Sequence, residues 1–182
     1  MITLYKDAPY TKLARENGLN TWEDLSCYVQ NLTYARTSNP KDLSLVFKEG
    51  CGTCSGKHAI LACIAEENGI PAKLMVAIFK MSVQSTPKIK DILEHYHLDY
   101  IPEAHCYLLV NGNTQDNTSK DPLFSDFDRQ IIETHEINPH KVFEEKTKLH
   151  KDFIKRWLKK QALPFSFEEL WKIRESCIES LS

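Results

Sequence analysis

Among the six cysteines of this chain, Cys54 stands where a thiol can do chemistry. It follows the glycine-bearing turn Gly50-Cys51-Gly52-Thr53 and opens an apolar-periodic run, Ala59, Ile60, Cys63 and Ile64, that closes on Asn68 and Gly69. That pattern predicts a helix with a cysteine at its start and a glycine stop at its end. A thiol there lies beside unpaired N–H groups and the positive end of the helix dipole, so its thiolate is favoured. Such a nucleophile needs a base, and the base needs a group that holds its tautomer. The sequence offers His105 and Asp116 for those roles.

Asn111-Gly112 after the run His105 to Val110 is a two-residue hairpin signal. In that register Val110 faces Asn113, Tyr107 faces Asp116 and His105 faces Thr118. His105 and Asp116 then become same-face diagonal neighbours, roughly 7–8 Å apart at Cα. Asp121 falls on the opposite face and is the second candidate carboxylate if the loop is longer.

Other elements must hold these residues in place. Thr21 and Asp24 announce a first amphipathic helix from about 22 to 34, after twenty residues that read as polar and irregular. Residues 72–81 read as a buried strand, because both alternating faces are apolar. Thr86-Pro87 opens a polar connector helix carrying Ile89, Ile92 and Leu93. Beyond Pro122 a loop with Phe124 and Phe127 leads through Ile131 and Ile132 to Asn138-Pro139. Two C-terminal helices follow, one from about Val142 to Lys160 with Leu149, Phe153, Ile154 and Trp157 inward, the other from Ser166 with Glu169 completing a capping box.

Three stretches, GTCSGKHAILACIAEENGIPAK followed by AHCYLLVNG and QDNTS, resemble the transglutaminase-like superfamily of papain-related cysteine proteins, in its small bacterial-type members. The resemblance covers residues 50 to 81 and 103 to 118. It implies an α+β fold with the cysteine helix packed on an antiparallel sheet and extra C-terminal helices. It further implies Cys54 as nucleophile, His105 as general base and then acid, and Asp116 as the orienting carboxylate. Members act on amides through a thioester, as hydrolases or acyltransferases, with no cofactor or metal; some are binding modules without catalysis. Gln30 and Trp22 are the candidates for a second oxyanion donor beside the Cys54 N–H.

At 182 residues the chain is expected to form a single domain, 1–182, with a core of about 21–125 and a helical extension of about 140–182. A formal charge of −2 and a pI near 6.4 give no general attraction for nucleic acid. No signal pattern or membrane-length apolar run is seen, so a cytoplasmic protein acting on a peptide, protein or small amide is expected. The other cysteines read as reduced thiols, with Cys27, Cys63, Cys106 and Cys177 as small core hydrophobes. Cys51-x-x-Cys54 also fits a redox pair or half a zinc site. His58, one turn beyond Cys54, reads as a residue that tunes the thiol or faces solvent. Residues 141–160, with eight basic and three acidic side chains, read as a solvated face.

Overall fold

A computed structural model describes residues 1–120 and 127–181. It is an α+β chain with an antiparallel sheet of four strands in the order β3-β2-β1-β4. The element order is α1 (Pro9–Glu16), α2 (Trp22–Asn31), α3 (Leu45–Lys48), α4 (Cys54–Asn68), β1 (Ala72–Ser82), α5 (Lys90–His95), β2 (Tyr100–Val110) and β3 (Asn113–Gln115). It continues with α6 (Phe127–Gln130), β4 (Ile131–Glu136), α7 (Val142–Gln161) and α8 (Phe167–Glu179). The chain divides into two compact units. Unit 1 holds 1–76, 106–121 and 135–145, and unit 2 holds 77–105, 122–134 and 146–182. No helix among the described residues is long and apolar enough to cross a membrane.

Unit 1 is organised around α4, which contacts α1, α2 and α3. Every residue of α4 from Cys54 to Ala65 is buried, including the polar Lys57 and His58. A helix enclosed on all sides must satisfy its polar groups within the protein. Its C-terminus is closed by Gly69 at φ 68°, whose N–H returns to Ala65 O and Glu66 O. A Cβ added at Gly69 would meet no atom within 4 Å, so Gly69→Ala carries backbone strain alone. Chemical denaturation should show that variant destabilised by about 1–2 kcal/mol.

The opening twenty residues are not irregular throughout, since α1 occupies Pro9–Glu16. Its Ala8 N-cap supplies no side-chain acceptor. Instead Glu67, from the last turn of α4, accepts from Tyr10 N at 3.0 Å and from Thr11 N at 2.7 Å. Asn68 beside it accepts from Tyr5 N and Lys6 N, and donates to Thr11 Oγ1 and Ile64 O. The α1 cap is thus delivered from more than fifty residues away. By contrast α2 carries its own cap, with Thr21 accepting from Asp24 N as its sequence predicts, although it ends at Asn31, short of residue 34.

The hairpin register is the expected one, with Val110 facing Asn113, Leu109 facing Thr114 and Leu108 facing Gln115. Asn111 and Gly112 both take positive φ, as the two-residue turn requires. The strand β3, however, ends at Gln115, so the pairing does not run on to Asp116 or Thr118. The diagonal placement of Asp116 beside His105 therefore has no ladder beneath it. Strand β2 begins earlier than Ala104, at Tyr100, and carries Pro102 within it. The segment after residue 126, read as a loop, forms α6 and the edge strand β4.

In unit 2, α7 buries His150, Phe153, Ile154 and Trp157, with Leu149 only half-buried. The side chain of His150 meets Pro102 O at 2.8 Å, and Trp157 Nε1 donates to Tyr100 Oη at 2.7 Å. Helix α8 starts with the complete capping box of Ser166 and Glu169 and buries Leu170, Ile173 and Cys177. Between these helices and β2 lies a buried ion pair: Arg174 grips Glu103 with Nε and Nη2, each at 2.6 Å. Burial alone would raise the Glu103 carboxyl, but the Arg174 guanidinium overrides it and holds the carboxyl below its ordinary value.

Candidate functional site

Cys54 is the first residue of α4 and is 4 % exposed. The N-cap residue, Thr53, makes no side-chain cap bond, so no hydroxyl or carboxylate from that position competes for the first N–H groups of the helix. The Cys54 Sγ lies 4.0 Å from Ser55 Oγ, and Ser55 Oγ is 3.7 Å from Cys106 Sγ on β2. The expected location of Cys54 at a helix start is thus observed.

His58, one turn along, is fully buried, which overturns its reading as a solvent-facing residue. Its Nδ1 is 2.8 Å from Cys54 O, the usual i−4 carbonyl, and its Nε2 accepts from Asn117 N at 2.7 Å. This network assigns the proton to Nδ1 and the lone pair to Nε2, the neutral imidazole. The carboxylate of Asp116 sits 3.4 Å from the same Nε2 and accepts from Thr118 N at 2.9 Å. Asp116 is held by its own turn, and with the lone pair on Nε2 the hydrogen bond that ties this stretch to α4 is the one from Asn117 N. The imidazole thereby fastens the chain beyond β3 to the helix that carries the thiol.

The remaining fastenings of that chain are backbone-directed. Asn117 Nδ2 donates to Ser26 O on α2, and Gln30 Nε2 donates to Ser119 O at 3.3 Å and Asp116 O at 3.5 Å. Gln30 thus spends its donors on main-chain carbonyls, which leaves it poorly suited to an oxyanion. Trp22 is buried in the first turn of α2.

His105 belongs to unit 2 and is 2 % exposed. Its ring stands edge-on to Phe127 at a centroid distance of 5.0 Å and to Phe79 at 6.5 Å. These two rings wall the imidazole on its apolar sides. Asp121, the alternative carboxylate, lies outside the described residues, as do Pro122 and Phe124.

The other cysteines divide by environment. Burial pushes the Cys63 thiol up to about 12 and the Cys177 thiol up to about 11, as expected of small core hydrophobes. Cys106 is buried as well, whereas Cys27 is exposed, contrary to its reading as a core residue. Among the described residues no group of three or more His, Cys, Asp or Glu side chains is arranged to hold a metal ion.

No family model matches the chain, and no curated protein matches it. One solved structure resembles it, described as "a Putative Cysteine Protease from Cytophaga hutchinsonii", at 16 % identity and a TM-score of 0.40. The match covers 74 % of this chain and 45 % of that one, so the chain spans a little under half the length of that protein.

Proposed function

We propose that the chain is a cysteine-dependent amide or peptide hydrolase or acyltransferase of transglutaminase-like type. The observation that carries this reading is Cys54, a buried thiol opening a 15-residue helix whose N-cap provides no competing side-chain acceptor. In the proposed reaction His105 takes the thiol proton, and Cys54 Sγ forms a C–S bond to the carboxamide carbon. The Cys54 N–H receives the developing oxyanion. His105 then gives its proton to the departing amine as the C–N bond breaks, leaving a thioester. Water or a second amine resolves it. Asp116 is assigned the orienting role, supported by its sharing unit 1 with Cys54 and by the turn in which its carboxylate accepts from Thr118 N. The chemistry needs a reduced thiol, so a reducing compartment such as the cytoplasm is its proposed setting.

The test is the pH dependence of iodoacetamide labelling at each cysteine, read by mass spectrometry. Cys54 should alkylate well below the pH 8.5 or so of an ordinary thiol, and His105→Ala should shift that midpoint upward. A Cys54 that titrates like a free thiol in the wild-type chain would remove the catalytic reading. Equal loss of reactivity in Cys51→Ser would favour a redox pair instead.

A further inference from the structure

Lys57 is completely buried, yet it lies in the first turn of the cysteine helix, three residues after the thiol and its neighbour on the helix surface. Helical side chains lean toward the N-terminus, and Lys57 does so closely: a Cβ on Gly52 would stand 3.0 Å from Lys57 Cγ. The glycine before the cysteine is thus the notch through which the lysine stem passes. The Nζ emerges to donate to Leu32 O at 2.6 Å and Thr118 O at 2.7 Å. Its third N–H has no acceptor among the described residues.

Two carbonyls satisfy hydrogen bonds but supply no counter-charge, and the positive end of α4 opposes a cation there. Three ionisable groups act on the ammonium: Asp116, after β3; Cys51, in the turn; and Cys54, at the helix start. Asp116 is 43 % exposed at its side chain and already accepts from Thr118 N. Asp116 exerts the strongest attraction of the three, Cys51 is half-buried, and Cys54 is the fully enclosed one, a neighbour of Lys57 on the same helix face.

We infer that Lys57 is the fixed cation of the Cys54 site, a positioning residue that stabilises the thiolate from within α4 while pinning the Thr118 turn. This rests on Cys54 being the nucleophile proposed above, and it gives that thiol a charge partner independent of His105. Burial lowers the Lys57 ammonium to about 8, with Asp116, Cys51 and Cys54 acting in the opposite direction.

The test follows the Lys57 Cε resonance by NMR through a pH titration of the full chain, in wild type and in Cys54→Ser. Removing the thiolate should lower the Lys57 midpoint by about one unit, a tenfold change in proton affinity. Equal midpoints in the two proteins would overturn the inference. In parallel, Lys57→Met should raise the pH midpoint of Cys54 alkylation by about one unit, which a purely structural lysine would not do. Should Lys57→Met fail to fold, the NMR comparison decides alone, because it keeps Lys57 in place. A lysine shift in a protein that forms no acyl adduct would leave Lys57 coupled to Cys54 and remove the hydrolase reading; adduct formation with no lysine shift would do the reverse.

Discussion

Arg174→Met should unfold in urea with about 3–5 kcal/mol less stability than wild type at pH 7–8. Its partner Glu103 is 3 % exposed, and both carboxylate oxygens are engaged by the guanidinium at 2.6 Å. Methionine would fill the aliphatic space of Arg174 but leave a buried carboxylate without a cation. The double variant Glu103→Gln/Arg174→Met should recover part of the loss, because the cost lies in the uncompensated charge.

The same pair sets an acid limit on unit 2. The Glu103 carboxyl is held below its unfolded value, so its stabilising contribution is present above about pH 4.5 and is lost as pH falls through the lower folded value. Burial also lowers the His150 imidazole, even against the attraction of Glu103. Below about pH 6.5 the unfolded chain therefore binds a proton that folded His150 resists, and stability falls in the same direction. In Arg174→Met the penalty should shrink with acid, as burial then drives Glu103 to its neutral form.

Cys54→Ser should reduce acyl-adduct formation from an activated phenyl ester by about 10⁴-fold or more, the scale on which removing a catalytic nucleophile acts. Intact-mass spectrometry of the ester-treated chain would show the single added acyl group vanish. Cys63→Ser and Cys177→Ser should leave the rate unchanged, because burial holds those thiols protonated. Cys27 is exposed and contributes slow, non-saturating labelling that Cys27→Ser removes. An adduct that persists at the wild-type rate in Cys54→Ser would refute the nucleophile assignment.

What the sequence disclosed was what its neighbours in the chain decide. The span of α4, its Gly69 stop, the Asn111-Gly112 register and the Ser166/Glu169 cap all depend on residues a few positions apart. Helix α1 was illegible because its cap comes from Glu67, and no local pattern reports such a partner. The end of β3 at Gln115 was illegible for a similar reason: His58 captures Asn117 N and draws the chain out of the ladder. The candidate thiol could be chosen from its turn and helix. Lys57 and His58 could not be read correctly, since charge and polarity ordinarily signal solvent and both are fully enclosed. One clue was available in Gly52, whose missing side chain makes room for a lysine stem.

The distant cap on α1 bears on how the chain is made. An eight-residue helix is marginal by itself, and the acceptors that complete this one lie 57 and 56 positions downstream of Tyr10 and Thr11. Synthesis runs from the N-terminus, so α1 leaves the ribosome before α4 and waits without its carboxylate until Glu67 and Asn68 have followed. A segment translated before α4 is then among the last of unit 1 to settle. A nascent chain stalled before residue 67 would expose that segment to proteases, and release of α4 would withdraw it.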